Sequence, residues 1–169
     1  MIDTAALSSL VVFLVEPSPT QAKVITAELK GVGIVHVRVF GSGGELLAAM
    51  RESRPDLVVS ALYLPDMTGT DLVGAIRGRG DSEEVAFILI SSETRPQALE
   101  PVRQAGVCGI VPKPFSREQL LTALATTLDF LRQDDDLVRE IDGENLRVLL
   151  VDDSPSARRF TRHVLSNLG

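Results

Sequence analysis

The stretch Pro55-Asp56-Leu57-Val58-Val59-Ser60-Ala61-Leu62-Tyr63-Leu64-Pro65-Asp66-Met67-Thr68-Gly69 decides how this chain folds. Leu57 to Ala61 is a short apolar run without strict polar alternation, as expected of a strand covered on both faces. Pro65, Asp66 and Gly69 then mark a loop. Working outward, the same kind of run recurs at Leu10 to Val15, Ile34 to Phe40, Val85 to Ile90 and Gly109 to Val111, with segments of helical period between and after them. Five strand-helix rounds predict an α/β fold built on a parallel sheet.

Helix boundaries are legible where capping chemistry is present. Ser18 is a candidate N-cap, with Pro19 at the first helical position and Gln21 at the third; this helix is expected to stop near Gly31. Ser116 and Gln119 repeat the pattern ahead of a stripe of Leu121, Leu124, Leu128 and Leu131. Between Pro96 and Ala105, Pro101 removes a backbone donor and crowds the carbonyl of Gln97, so the fourth helix is expected either to start late or to kink.

Composition excludes several classes of function. With 17 Lys plus Arg against 23 Asp plus Glu, the net charge of −6 is the wrong sign for bulk attraction to nucleic acid, and 4% aromatic residues offer little stacking surface. The single cysteine, Cys108, excludes an intramolecular disulfide framework and a multi-cysteine zinc site. At the N-terminus the apolar run Leu10 to Val15 is stopped by Glu16, and Asp3 stands where a secretory signal carries positive charge. A cytoplasmic protein without a membrane span is expected.

Residues 133–145, QDDDLVREIDGEN, are charged and turn-rich and read as a linker. Beyond them, residues 148–169 repeat residues 12–33 in register: Val12, Leu14, Val15, Ser18, Pro19, Leu29 and Gly33 recur as Val148, Leu150, Val151, Ser154, Pro155, Leu165 and Gly169. The expected organisation is one complete domain at 1–132, the linker at 133–145, and the first strand and helix of a second copy at 146–169. A lone unit of that kind would expose its apolar strand and helical stripe, so a longer tandem protein is expected.

The segments LVEPSPT (14–20), PDLVVSALYLPDMTG (55–69), FILISSE (87–93) and IVPKPFSREQL (110–120), in this order and spacing, resemble the receiver domain of two-component response regulators. VLLVDDSPSARR (148–159) resembles the start of another. The resemblance covers about Leu10 to Arg132 and then Leu146 to Gly169. It implies a CheY-like, flavodoxin-like doubly wound sheet of strand order 2-1-3-4-5. It also implies phosphoryl transfer onto an aspartate, with Mg²⁺ held by an acidic pair and with a hydroxyl and a lysine on the phosphoryl oxygens. A metal and a fixed cation are what such a transfer needs to neutralise its charge.

Carried over position by position, the first copy departs from that pattern. Ala61 stands at the acceptor position, and the acidic pair is Glu16 and Pro17, of which Pro17 offers no side-chain oxygen. Ile110 stands at the aromatic switch position. Ser91 and Lys113 remain. On their own chemistry, Glu16 reads as a solvated loop carboxylate or a partner for Lys113, Ser91 as a turn-forming hydroxyl, and Asp66 as a solvated loop residue. The Lys113-Pro114 step suits a turn, and X-Pro bonds give ready access to a cis peptide there. In the second copy, Asp152 and Asp153 match the acidic pair, though two Asp residues before a helix also serve as cap and dipole partners.

The expectation is therefore a non-enzymatic, degenerate receiver that binds a signalling protein or a second copy of itself, with no direct nucleic-acid or membrane contact. No cofactor is expected in the first domain, and Mg²⁺ only in a complete second receiver. The competing reading is an unorthodox acceptor that uses Mg²⁺ and another carboxylate, Glu16 or Asp66.

Overall fold

The computed structural model describes residues 4–79, 85–132 and 161. Among these, the chain runs α1 (Thr4–Ser9), β1 (Val11–Val15), α2 (Pro19–Gly31), β2 (His36–Phe40), α3 (Gly43–Ala49), β3 (Leu57–Ala61), α4 (Gly69–Arg77), β4 (Ala86–Ser91), α5 (Pro96–Gln104), β5 (Gly109–Pro112) and α6 (Arg117–Arg132). The strands form one all-parallel sheet in the order β2-β1-β3-β4-β5. That is a doubly wound sheet, with the strand order reversing beside β1. The expected linker at 133–145 and the repeat unit at 146–169, with Asp152 and Asp153, lie outside the described residues, apart from Thr161.

The two-residue pleat of each strand divides the core in two. Val12 and Leu14 of β1, Leu57 and Val59 of β3, and Ile88 and Ile90 of β4 pack on the face covered by α1, α2 and α6, with Ile25, Leu29, Leu120 and Leu124. The alternate residues Phe13, Val15, Val58, Phe87 and Leu89 pack with Leu46, Leu72, Val73, Ile76 and Val102 from α3, α4 and α5. Central strands buried on both faces cannot alternate apolar with polar, and that is why they read as continuous apolar runs.

Most boundaries follow local chemistry. The Ser18 hydroxyl accepts from the Gln21 N–H, with Pro19 in the first turn, and α2 ends at Gly31. At α6 the box is reciprocal: the Ser116 N–H donates to the Gln119 side chain at 2.9 Å, and the Gln119 N–H to the Ser116 hydroxyl at 3.2 Å. Its buried stripe differs from the expected one. Leu120, Ala123, Leu124, Thr127 and Leu128 face the sheet, while Leu121 and Leu131 are only partly buried. Leu124 and Leu128 are common to both stripes, so the buried face is shifted only partly toward Leu120, and Ala123 sits against Gly109, whose added Cβ would come within 3.3 Å of the Ala123 Cβ.

At α5, the late start does not occur. The helix begins at Pro96 and carries Pro101 inside it, where the missing donor costs the one bond back to Gln97. The helix α1 was not anticipated. Six residues are too few to show a helical period, and its anchor is Leu7, 2% exposed in the core beside α2 and α6. Truncation by Leu7→Ala is expected to cost about 2–5 kcal/mol of stability by urea unfolding, as for other buried leucines. A change below about 0.5 kcal/mol, the range of surface substitutions, would mean that α1 is not packed there.

Candidate functional site

In a doubly wound sheet, ligands bind beyond the carboxyl ends of the strands at the point where the strand order reverses. Parallel register brings the ends of β1, β3, β4 and β5 side by side, with Val15 opposite Ser60, Ala61 opposite Ile90, and Ser91 opposite Pro112. Glu16 follows β1, Ala61 ends β3, Ser91 ends β4 and Lys113 follows β5. Glu16, Ala61, Ser91 and Lys113 therefore lie along one edge.

Glu16 and Lys113 meet there. The Lys113 Nζ donates to Glu16 Oε2 at 2.8 Å, while Glu16 Oε1 accepts from the Ser18 N–H at 3.0 Å. The Glu16 side chain is 5% exposed and that of Lys113 is 21% exposed. Of the two alternatives for Glu16, the structure shows the partner of Lys113 and not a solvated loop carboxylate. A carboxylate this far out of water needs a paired cation, and the pair is compensated by the Ser18 amide as well. Pro17 is exposed on the loop, and the Ile110 side chain packs with the α3–α5 face of the core.

Ser91 is used locally. Its hydroxyl accepts from the Glu93 N–H at 3.0 Å, a turn contact, and its carbonyl accepts from the Lys113 N–H at 2.8 Å. The Lys113-Pro114 bond is cis. Ala61 presents a methyl group. Its carbonyl accepts the Ser60 hydroxyl at 2.8 Å and closes against Gly69, where an added Cβ would lie 2.9 Å from the Ala61 oxygen. Gly69 is needed at that position for this close approach, and its N–H donates to the Leu62 carbonyl at 2.6 Å.

Asp66 differs from expectation. It is exposed but not merely solvated, because its two oxygens accept from the Gly43 N–H at 3.0 Å and the Gly44 N–H at 2.7 Å, at the start of α3. Those backbone bonds hold its carboxyl below the ordinary Asp range. Its role is to pin the β3–α4 loop to α3. Asp71 is likewise lowered, by the Thr68 hydroxyl and N–H in the capping box of α4. Burial pushes the Cys108 thiol up from its ordinary value.

A cluster that the sequence reading did not single out borders the site. Glu93 accepts from the Tyr63 hydroxyl at 3.2 Å and pairs with the Arg95 guanidinium at 2.6 and 2.9 Å. Arg95 brings the Glu93 carboxyl down to about 2. The signal available in sequence was the Glu93-Thr94-Arg95 spacing after a strand end. Its link to Tyr63 spans thirty positions and needs the register of β3 on β4.

Mg²⁺, implied by the resemblance for a receiver that accepts phosphoryl groups, is poorly matched by these donors. A hard dication prefers several carboxylate and water oxygens. Glu16 already spends both oxygens on Lys113 and Ser18, and Pro17 and Ala61 have none to give. Among the described residues, no group of three or more His, Cys, Asp or Glu side chains is placed to hold a metal ion.

The ion pair has a measurable signature. Lys113→Met, which strands the Glu16 charge, is expected to lower stability by about 1–3 kcal/mol in urea unfolding. Adding Glu16→Gln to it should restore part of that loss, because no buried charge remains. A double variant as unstable as the sum of the two single ones would show that the residues do not interact.

Comparison with known proteins places this geometry in a family. The model of the response regulator receiver domain matches residues 12–125. The DNA-binding response regulator MtrA of Mycolicibacterium smegmatis is 30% identical over 117 residues, covering 69% of this chain and 50% of MtrA. An uncharacterised 76.5 kDa protein of Thiocystis violacea is 32% identical over 113 residues, covering 67% of this chain and 16% of that protein. The chain thus spans half or less of these two relatives. Among solved structures, the chemotaxis response regulator CheY4 of Vibrio cholerae has a TM-score of 0.63 at 27% identity, covering 70% of this chain and 98% of CheY4. The receiver domain of a sensor histidine kinase of Pseudomonas aeruginosa, solved with a magnesium ion coordinated in its active site cleft, has a TM-score of 0.64 at 25% identity, covering 71% of this chain and 98% of that domain. With the five-stranded 2-1-3-4-5 sheet and the Ser91 and Lys113 strand-end positions in place, the chain belongs to the response regulator receiver domain family of two-component signalling.

Proposed function

We propose that residues 1–132 form a pseudo-receiver, a receiver fold that takes up no phosphoryl group and signals by binding a protein. The observation that carries this reading is the Glu16–Lys113 pair, 2.8 Å apart at a strand edge where Ala61 supplies no carboxylate. The lysine whose charge would meet a phosphoryl oxygen already has an anion, and that anion is part of the chain. Neither other carboxylate favours the unorthodox acceptor: Glu16 is paired, and Asp66 is held by two backbone amides of α3. The module is a non-enzymatic one on this reading.

The partner is a signalling protein or a second copy of the chain, presented with a rigid α/β surface. Direct DNA contact is assigned to neither the acidic first domain nor its strand-end site, although MtrA is named as DNA-binding. Residues 146–169 are proposed to begin a second receiver, in which Asp152 and Asp153 provide the Mg²⁺ pair that Glu16 and Pro17 do not. Among the described residues no helix is long and apolar enough to cross a membrane, in keeping with a cytoplasmic module.

Incubation of the chain with acetyl phosphate and Mg²⁺ is expected to add no phosphoryl mass to peptides from residues 10–132. Ala61→Asp alone is expected to leave that result unchanged, because Pro17 still withholds a ligand and Lys113 remains paired. Stoichiometric phosphorylation of the unaltered chain, mapped to those residues, would overturn the pseudo-receiver reading.

A further inference from the structure

The cluster at the rim is built around one carboxylate. Glu93 Oε1 accepts from the Thr94 N–H at 3.0 Å, the Arg95 N–H at 2.9 Å and Arg95 Nε at 2.9 Å. Oε2 accepts from Arg95 Nη2 at 2.6 Å and from the Tyr63 hydroxyl at 3.2 Å. A carboxylate offers about four lone-pair sites, so this one is saturated. The Glu93 side chain is 11% exposed although Arg95 and Tyr63 are 73% and 59% exposed, so two outward residues are drawn onto one inward group.

The cluster joins two loops that differ in how they are held. Residues 62–68 form a closed turn, with the Leu64 N–H on the Met67 carbonyl and Tyr63 bridged to Thr68. Residues 92–95 lead into α5, whose N-cap residue Arg95 contributes no side-chain cap of its own. Glu93 supplies the missing negative group just before that helix. From Glu93 the contacts continue inward through its N–H to the Ser91 hydroxyl, from the Ser91 carbonyl to the Lys113 N–H, and from Lys113 Nζ to Glu16. One connected set of polar bonds therefore runs from the exposed Tyr63 ring to the buried ion pair, across the ends of β3, β4, β5 and β1.

We infer that Glu93 is a strut that locks the β3–α4 and β4–α5 loops together, so that the rim beside Ala61 is held in a single arrangement without a phosphoryl signal. Isolated exposed ion pairs contribute little. Here five donors converge on a covered carboxylate, and the bonds reinforce one another because each fixes the group the others need. The strut deepens the pseudo-receiver reading and rests on it: a site that receives no phosphoryl group has its surface set by internal bonds. The exposed Tyr63 ring, fixed through its hydroxyl, is then a pre-oriented contact for the protein partner.

Backbone relaxation dispersion and amide hydrogen exchange on the whole chain test this directly. The unaltered chain is expected to show no millisecond exchange at residues 62–68 and 91–95. Glu93→Gln should raise amide exchange about tenfold in both loops, including Thr94, Arg95 and Leu64. Tyr63→Phe, which removes only a hydroxyl from an exposed ring, should raise it in 62–68 and leave Thr94 and Arg95 protected. Millisecond exchange in the unaltered chain, or a Glu93→Gln effect confined to 91–95, or no effect of either variant, would each overturn the strut. Parallel treatment with acetyl phosphate and Mg²⁺ separates the two readings: a phosphoryl mass gain refutes the pseudo-receiver whatever the loops do, and mobile loops without a mass gain refute the strut alone.

Discussion

A single ion pair between the two ends of the chain's first domain organises the site. Glu16 leaves β1 and Lys113 leaves β5, ninety-seven positions apart in sequence and 2.8 Å apart in space. An almost fully covered carboxylate would cost several kcal/mol by itself, so the Glu16 side chain is tolerable only because the lysine and the Ser18 amide reach it. In turn the lysine is taken from the role that the family's chemistry would give it. On the proposed reading, stability and loss of phosphoryl chemistry are two consequences of the same contact.

The sheet makes that contact possible. Parallel strands with helical crossovers put every βα loop at one edge, and the order β2-β1-β3-β4-β5 lays the ends of β1, β3, β4 and β5 beside one another. Burial on both faces follows from the pleat, with Val12 and Leu14 sent to one core and Phe13 and Val15 to the other. Asp66 and Gly69 then set the β3–α4 loop, one by holding α3 and the other by allowing the chain to pass against Ala61. These residues shape the rim beside Ala61.

Much of this was legible in the linear sequence, for physical reasons that differ from residue to residue. The apolar runs at Leu57 and Val85 named themselves as two-sided strands, and Ser18-Pro19 and Ser116-Gln119 announced their helices, because capping is a local interaction. Helix α1 was not legible, since six residues carry no period. On α6 the leucine stripe is legible but incomplete: Leu121, Leu124, Leu128 and Leu131 all pack on the core, and Leu120 and Ala123, which lie deeper than Leu121, are placed there only by tertiary packing. At the site, the identities of Glu16, Ala61, Ser91 and Lys113 could be read directly, but the pairing of Glu16 with Lys113 was one of two alternatives. Asp66 and Glu93 were misread or passed over because their partners, Gly43, Gly44 and Tyr63, are brought near only by tertiary structure.

The central claim is that the chain's own carboxylate holds the place of a phosphoryl group at Lys113. Titration of the ¹⁵N-labelled chain with Mg²⁺ and beryllofluoride, a phosphoryl mimic, tests it most directly. The account predicts that the amide signals of Glu16, Ala61, Ser91 and Lys113 stay where they are throughout the titration. Saturable shifts at these four residues, with the Lys113 side-chain signal moving in step, would contradict it.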